Sequence, residues 1–287
     1  MQTITIKHNS YPVLLKDIHK PPSELQVAGT LVTDRPTVAI VGSRKPTEYG
    51  EMIAYRLSAD LARAGFIIVS GLAYGIDAIV HRAALEAGGI TWAVLGSGLD
   101  KLYPARHASL AREIIREGGA VISEYPAGTP PLKHHFPARN RIIAGISLAT
   151  IVPEANAKSG SLITAQLALE ENRLVGAVPG PITSERSVGP HALLKQGALL
   201  VTSAGDICQA LEYDSPTTFV YGKQLNTTQL SAQATLIVEA LSSQALDTES
   251  LAETTGIPIS ELLATLTLLE LNNHIRSIGA NSWMYVG

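Results

Sequence analysis

The 287-residue sequence predicts an α/β protein in which a doubly wound, mainly parallel sheet is followed by a small C-terminal winged-helix domain. Three observations predict this class. From residue 37 to about residue 210, seven short β-branched runs alternate with longer stretches of helical period, the pattern of βαβ units around a parallel sheet. The runs are apolar almost throughout, as strands are when helices cover both faces of the sheet. Past residue 226, three helical segments and a hairpin share about 60 residues, which is the make-up of a winged helix.

The elements can be justified in order. Residues 1–36 hold one turn-like stretch, "KPPSEL", and little periodicity, and read as an extension packed on the main domain, 37–214. Within that domain the strands are "TVAIVGS", "FIIVSG", "ITWAVLGSG", "AVISEYP", "LATIVPEA", "LVGAVPG" and "ALLVTSA". Helical segments such as 48–63 and 77–86 lie between them and end near Gly65 and Gly88, residues able to close a helix in a left-handed conformation. Pro, Thr, Gly and Asn then accumulate, marking a linker over 215–226. In the last domain, 227–287, "SAQATLIVEALSS", "DTESLAETTG" and "SELLATLTLLELNNHI" read as helices, and "RSIGANSWMYVG" as a hairpin turning at Gly279–Asn281.

Composition narrows the function. Cys208 is the single cysteine, so an internal disulfide and a CxxC metal or redox site are excluded. The start lacks the pattern of a secretory signal, and the longest apolar run, 142–152, is too short to span a bilayer. A soluble cytoplasmic protein without membrane contact is expected. The net charge of −3 hides an asymmetry: from Asn226 onward there are six acids and only Arg276 as a cation. A winged helix so poor in cations is expected to meet protein rather than duplex DNA.

Each strand of the main domain ends in small or polar residues, and in open parallel sheets ligands bind outside those carboxyl ends. The first such turn, "VGSR", carries Gly42, Ser43 and Arg44, with a guanidinium where a dinucleotide fold needs a second glycine. A second segment, "LKHHFPARNR", sets Lys133, Arg139 and Arg141 around Phe136, with Asn140 between the arginines and a helix starting near Pro137. It offers phosphate forks beside an aromatic face, although a solvated loop before an ordinary helix accounts for it equally. A third, "AKSGSLITAQ", places Lys158, Ser159, Gly160 and Ser161 at a helix start, either as an anion cradle or as a plain cap. Lys45, Lys101 and Arg106 add to a basic edge opposed by Asp100, Glu124 and Glu154. Glu124 reads best as a brace for an arginine, Asp77 as a helix-start acid, and His81 as a packed histidine. The adjacent His134 and His135 lack metal-ligand spacing, so no metal, cofactor or nucleophilic triad is expected.

In sum, these segments resemble the DprA/Smf family of DNA-processing proteins. The resemblance rests on "YPVLLKDIHKPP", "VAIVGSR", "SGLAYGIDAIVHRAAL", "GSGLDKLYP", "SEYPAGTPP", "FPARNRIIAGIS", "SGSLITAQLALE", "AVPG" and "GPHALLKQGA", in that order over roughly residues 11–200. It implies an extended Rossmann-like domain that holds single-stranded DNA in a basic pocket, does not turn over a substrate, forms a homodimer, and helps load the RecA recombinase during DNA uptake and transformation. The implied DNA contacts are Gly42, Ser43, Arg44, Phe136, Arg139, Asn140, Arg141, Lys158, Ser159, Gly160 and Ser161, to which the basic cluster adds Lys133 as a candidate. Many members carry a separate N-terminal helical domain; with about 36 residues ahead of the sheet, any role of that domain is expected to be missing.

Two other readings remain at this point. Nucleotide phosphoribohydrolases of the lysine decarboxylase-like group use a PGGxGTxxE turn, but this chain has Gln166 and Leu167 where the glutamate belongs, with Glu170 and Glu171 a turn further along. A small-ligand sensor with a regulatory winged helix is the third, and the acidity of that helix speaks against promoter contact.

Overall fold

The computed structural model describes residues 2–214, 231–242, 244–271, 274–279 and 281–285. The chain divides into two compact units, Met1–Phe219 and Val220–Gly287. The linker expected over 215–226 lies outside the described residues.

In the first unit the chain runs β1 (Gln2–Thr5), α1 (Val13–Lys16), β2 (Glu24–Gly29), β3 (Thr37–Ile40), α2 (Glu48–Arg63), β4 (Ile67–Ser70), α3 (Ile76–Glu86) and β5 (Thr91–Leu95). It continues through α4 (Ala108–Arg116), β6 (Ala120–Ser123), α5 (His135–Ile146), β7 (Ala149–Val152), α6 (Gly160–Glu170), β8 (Leu174–Ala177), α7 (Val188–Lys195), β9 (Leu199–Leu200) and α8 (Ala204–Ala210). One sheet orders the strands β1-β2-β6-β5-β4-β3-β7-β8-β9. Pairing is parallel from β6 to β9, whereas β2 lies antiparallel to β6 and β1 to β2.

This architecture is doubly wound for the reason the apolar strands implied. Along β3, Val38 and Ile40 pack toward α2, α3 and α8, while Ala39 faces α5 and α6 on the other side. In β5, Trp92 and Val94 join that second layer and Ala93 and Leu95 pack on α4. Both faces are therefore buried. Three boundaries differ from expectation: α5 begins at His135 rather than near Pro137, β9 keeps only two residues of "ALLVTSA", and residues 1–36 contribute two strands and a helical turn. In β2, Leu25 and Val27 are buried while Glu24 is exposed, a four-residue alternation too brief to stand out beside the prolines that precede it. Tyr11, Leu15 and Ile18 are buried against the α5 layer, so this segment is part of the core.

His81 illustrates the packing reading of α3. Its ring is fully buried, and Nδ1 lies 2.6 Å from Thr91 Oγ1. The Thr91 hydroxyl donates to Ile68 O, so it accepts from His81 Nδ1–H, and Nε2 has no partner. Burial, followed by the nearby His107 and Arg139, pushes the imidazole down to about 3. A folded-state value below the unfolded one contributes stability that is present above about pH 6.5 and is lost as pH falls toward 3. Stability is expected to fall by about 1.4 kcal/mol per pH unit below 6.5 from this group, and His81→Leu should flatten the slope measured by denaturant titration.

The second unit contains α9 (Ala232–Leu241), β10 (Leu246–Asp247), α10 (Thr248–Thr255), α11 (Ile259–Leu271), β11 (Ile275–Gly279) and β12 (Ser282–Tyr285), with strand order β10-β12-β11. Ile237, Leu241, Leu251, Leu262, Leu266 and Ile275 form its core. Ser231 and Asp247 cap α9 and α10, and Gly256, with φ of 69°, closes α10. This is the winged helix that the sequence predicts.

Candidate nucleic-acid interface

The strand order reverses direction at β3, whose neighbours are β4 and β7. A crevice is expected outside the carboxyl ends of β3 and β7. A cavity of about 910 Å3 opens there, with Gly42, Ser43, Arg44 and Lys45 after β3 and Asn156, Lys158, Ser159 and Gly160 after β7 among its lining.

The β3 turn is fixed by close backbone packing. A Cβ on Gly42 would fall 2.8 Å from Ile76 Cγ1 and 2.9 Å from Glu154 O, so only glycine lets the turn settle between α3 and the end of β7. Ser43 N donates to Glu154 O and Ser43 O accepts from Ile76 N. The Ser43 hydroxyl accepts from Lys45 N. That leaves Arg44 and Lys45 exposed on the outer side of the turn. The dinucleotide position of the fold, the N-terminus of α2, is filled from within: buried Glu154 accepts hydrogen bonds from the Thr47 amide and hydroxyl. The N-terminus of α2 is thereby occupied by a side chain of the protein itself.

At α6, Ser159 is the N-cap, its hydroxyl accepting from Ser161 N at 3.4 Å and lying 2.7 Å from Ser161 Oγ. The cap described in the sequence is thus present. Lys158 is exposed beside it. Across the opening, Phe136 of α5 sits 5.8 Å, centroid to centroid, from the exposed Tyr103 ring, and the Arg44 guanidinium lies 6.0 Å from the Phe136 centroid.

Two arginines depart from their expected places. Arg139 lines the cavity floor but is 5% exposed, and its guanidinium donates to Gly71 O at 2.9 Å and to Val94 O. Burial pulls it down to about 10 against the opposing pull of Asp77, so it remains a cation at neutral pH. Asp77, pushed upward by burial, accepts from Gly71 N and Ala73 N. Arg139 is therefore a beam under the site and not a free phosphate fork. Arg141 is absent from the lining; it pairs with Glu124, the brace expected of that residue, and donates to Lys20 O. A side chain two residues further along α5 points away from the one before it, because i and i+2 do not share a helix face. Asn140 connects the two halves of the site: its Oδ1 accepts from Arg139 Nε and its amide donates to Gly160 O.

Arg186, Asn156 and Tyr103 line the cavity too and were missed in the sequence. Arg186 follows β8 and donates to Asn156 Oδ1 at 2.8 Å. The carboxyl-end rule that found the other turns reaches this loop as well, but its only obvious marks were Pro179 and Gly180. Lys101 and Arg106, counted on the basic edge, lie outside the cavity. Among the described residues the lining carries six cations, Arg44, Lys45, Lys133, Arg139, Lys158 and Arg186, against one carboxylate, Asp77. Among the described residues, no group of three or more His, Cys, Asp or Glu side chains is arranged to hold a metal, and no helix is long and apolar enough to cross a membrane.

Residues 2–212 match the family model of DNA recombination-mediator protein A. The chain belongs to the DprA/Smf family. A second family model, the DprA winged helix domain, matches residues 223–281. The protein Smf of Escherichia coli is 40% identical over 275 residues, covering 93% of this chain and 73% of that protein. The DNA processing protein DprA of Bacillus subtilis is 43% identical over 213 residues, 74% of this chain and 71% of the relative. Among solved structures, DprA from Streptococcus pneumoniae superposes with a TM-score of 0.69 at 44% identity over 72% of this chain and 73% of its own. DprA from Helicobacter pylori, a protein with a unique single-stranded DNA binding mode, gives 0.66 at 32% identity over 75% and 98%. The DprA/Smf resemblance read from the motifs and the Rossmann-like core with its winged helix are thereby shown.

Proposed function

We propose that this DprA/Smf chain binds single-stranded DNA across the basic cavity and delivers the strand to RecA during DNA uptake and recombination, working as a homodimer in the cytoplasm without catalytic turnover. The observation that carries the reading is the convergence of cations from four separate segments, after β3, before and within α5, before α6 and after β8, on one opening that also holds the Phe136–Tyr103 pair. Several spaced cations suit an extended polyanionic backbone, and the two rings supply a face for a base. The single-strand binding of the Helicobacter pylori relative supports the same ligand. With two aromatic rings against five cations besides the buried Arg139, the backbone dominates and sequence preference is weak.

A hydrolase reading draws no support from the carboxylates. Glu170 accepts from Gln166 in an adjoining groove along α6 and is absent from the cavity lining, Glu171 accepts from His19 N, and Asp77 is engaged by two backbone amides beside Arg139. Fluorescence anisotropy with labelled oligo-dT and a duplex of equal length, across a salt series, tests the proposal. Tighter binding of the unpaired strand with a steep salt slope is expected; release of free base from AMP, or a preference for the duplex, would overturn it. The RecA step is read separately, as faster RecA filament formation on DNA already coated by a single-strand-binding protein.

A further inference from the structure

A second cation–aromatic pair lies just beyond the cavity mouth. Tyr74 is 37% exposed, and the Arg106 guanidinium lies over its ring, 5.6 Å from the centroid. The His107 ring meets it edge-on, 5.3 Å between centroids. Arg106 is exposed, and among the described residues no carboxylate pairs with it. An arginine held on an exposed ring without a counter-ion presents both a charge for phosphate and a flat face for a base.

The pair is continuous with the cavity through the chain itself. Ala73 and Tyr103 line the cavity, and Tyr74 and Arg106 follow them in the same two loops. These loops are held rigidly. Leu72 is buried in a left-handed conformation, φ 57°, a strained state for a branched side chain. Its carbonyl accepts from His107 Nδ1, Asp77 accepts from the Gly71 and Ala73 amides, and Arg139 donates to Gly71 O. The strain is thus opposed by contacts to α3, α5 and the turn Ala105–His107, which fix the outer pair relative to the inner one.

We propose that Tyr74 and Arg106 form an outer subsite that stacks and neutralises a nucleotide of single-stranded nucleic acid leaving the cavity. The inference rests on the single-strand reading above. Oligo-dT of increasing length, bound to the full chain, tests it. Affinity of the wild-type chain should step up once the oligonucleotide outgrows the cavity. Tyr74→Leu, which keeps an apolar contact with His107, and Arg106→Gln should erase that step, roughly 5- to 150-fold for one stacked base, while leaving the shortest binding oligonucleotide unaffected. Photocrosslinking of an oligonucleotide carrying a terminal 5-iodouracil should give an adduct at Tyr74. Absence of the length step, equal losses at every length, or adducts confined to Phe136 and Tyr103 would overturn the outer subsite and leave the cavity reading standing. Failure of the wild-type chain to bind any oligo-dT would sink both.

Discussion

Replacing Arg44 and Lys158 with alanine is expected to lower oligo-dT affinity by about tenfold or more for each residue, because under the proposed single-strand binding each exposed cation of the cavity lining would lose a charge-assisted phosphate contact. The salt dependence gives the sharper readout. On a single strand the slope of log K against log salt is about −0.7 per neutralised phosphate, so the double variant should flatten it by about 1.4. Neither residue is buried, so the thermal midpoint should stay near the wild-type value. Arg141→Ala is the internal control: its partners are Glu124 and two carbonyls away from the cavity, and the slope should not move. Equal effects from Arg141 and Lys158 would relocate the interface to the outer side of α5.

The second large effect is on stability. Arg139→Met is expected to cost about 3–5 kcal/mol, since it leaves Asp77 buried without an opposing charge and strips the donors from Gly71 O and Val94 O. At about 2–4 °C per kcal/mol for a domain of this size, calorimetry should show a midpoint lowered by roughly 6–20 °C. Adding Asp77→Asn to Arg139→Met should restore part of the loss, because the orphaned charge is removed with its partner, and a double-mutant cycle measures that coupling. Strictly additive losses would mean that the two groups do not interact. The same variants bear on the site: the Gly71–Ala73 loop and the Asn140 bridge to α6 both hang on Arg139, so a folded Arg139→Lys chain should bind oligo-dT more weakly although no phosphate contact is removed.

Much of the site was legible because one rule located it. Strands of "TVAIVGS" type announce buried parallel pairing, and their carboxyl ends, where Gly42–Arg44 and Lys158–Ser161 stand, are where an open α/β sheet binds ligands. Residue type was enough to bring the exposed side chains Arg44, Lys133 and Lys158 to one cavity. It did not foresee that Arg139 is buried or that Arg141 turns to Glu124, since a helix of basic and apolar residues does not disclose which cation turns inward until the sheet beneath it is in place. Arg186 and Tyr103 went unnoticed for the opposite reason, as single polar or aromatic residues in loops with no local pattern.

The sequence alone determined the layer architecture, the winged helix and the family, because hydrophobic period and ordered short motifs are local properties that survive without coordinates. Tertiary structure decided which cations share an opening, that Glu154 seals the N-terminus of α2, and that Arg139 and Asp77 support the floor. Those outcomes depend on contacts between residues as far apart as Thr47 and Glu154, where burial and the direction of each side chain fix whether a charge is structural or free to meet a ligand.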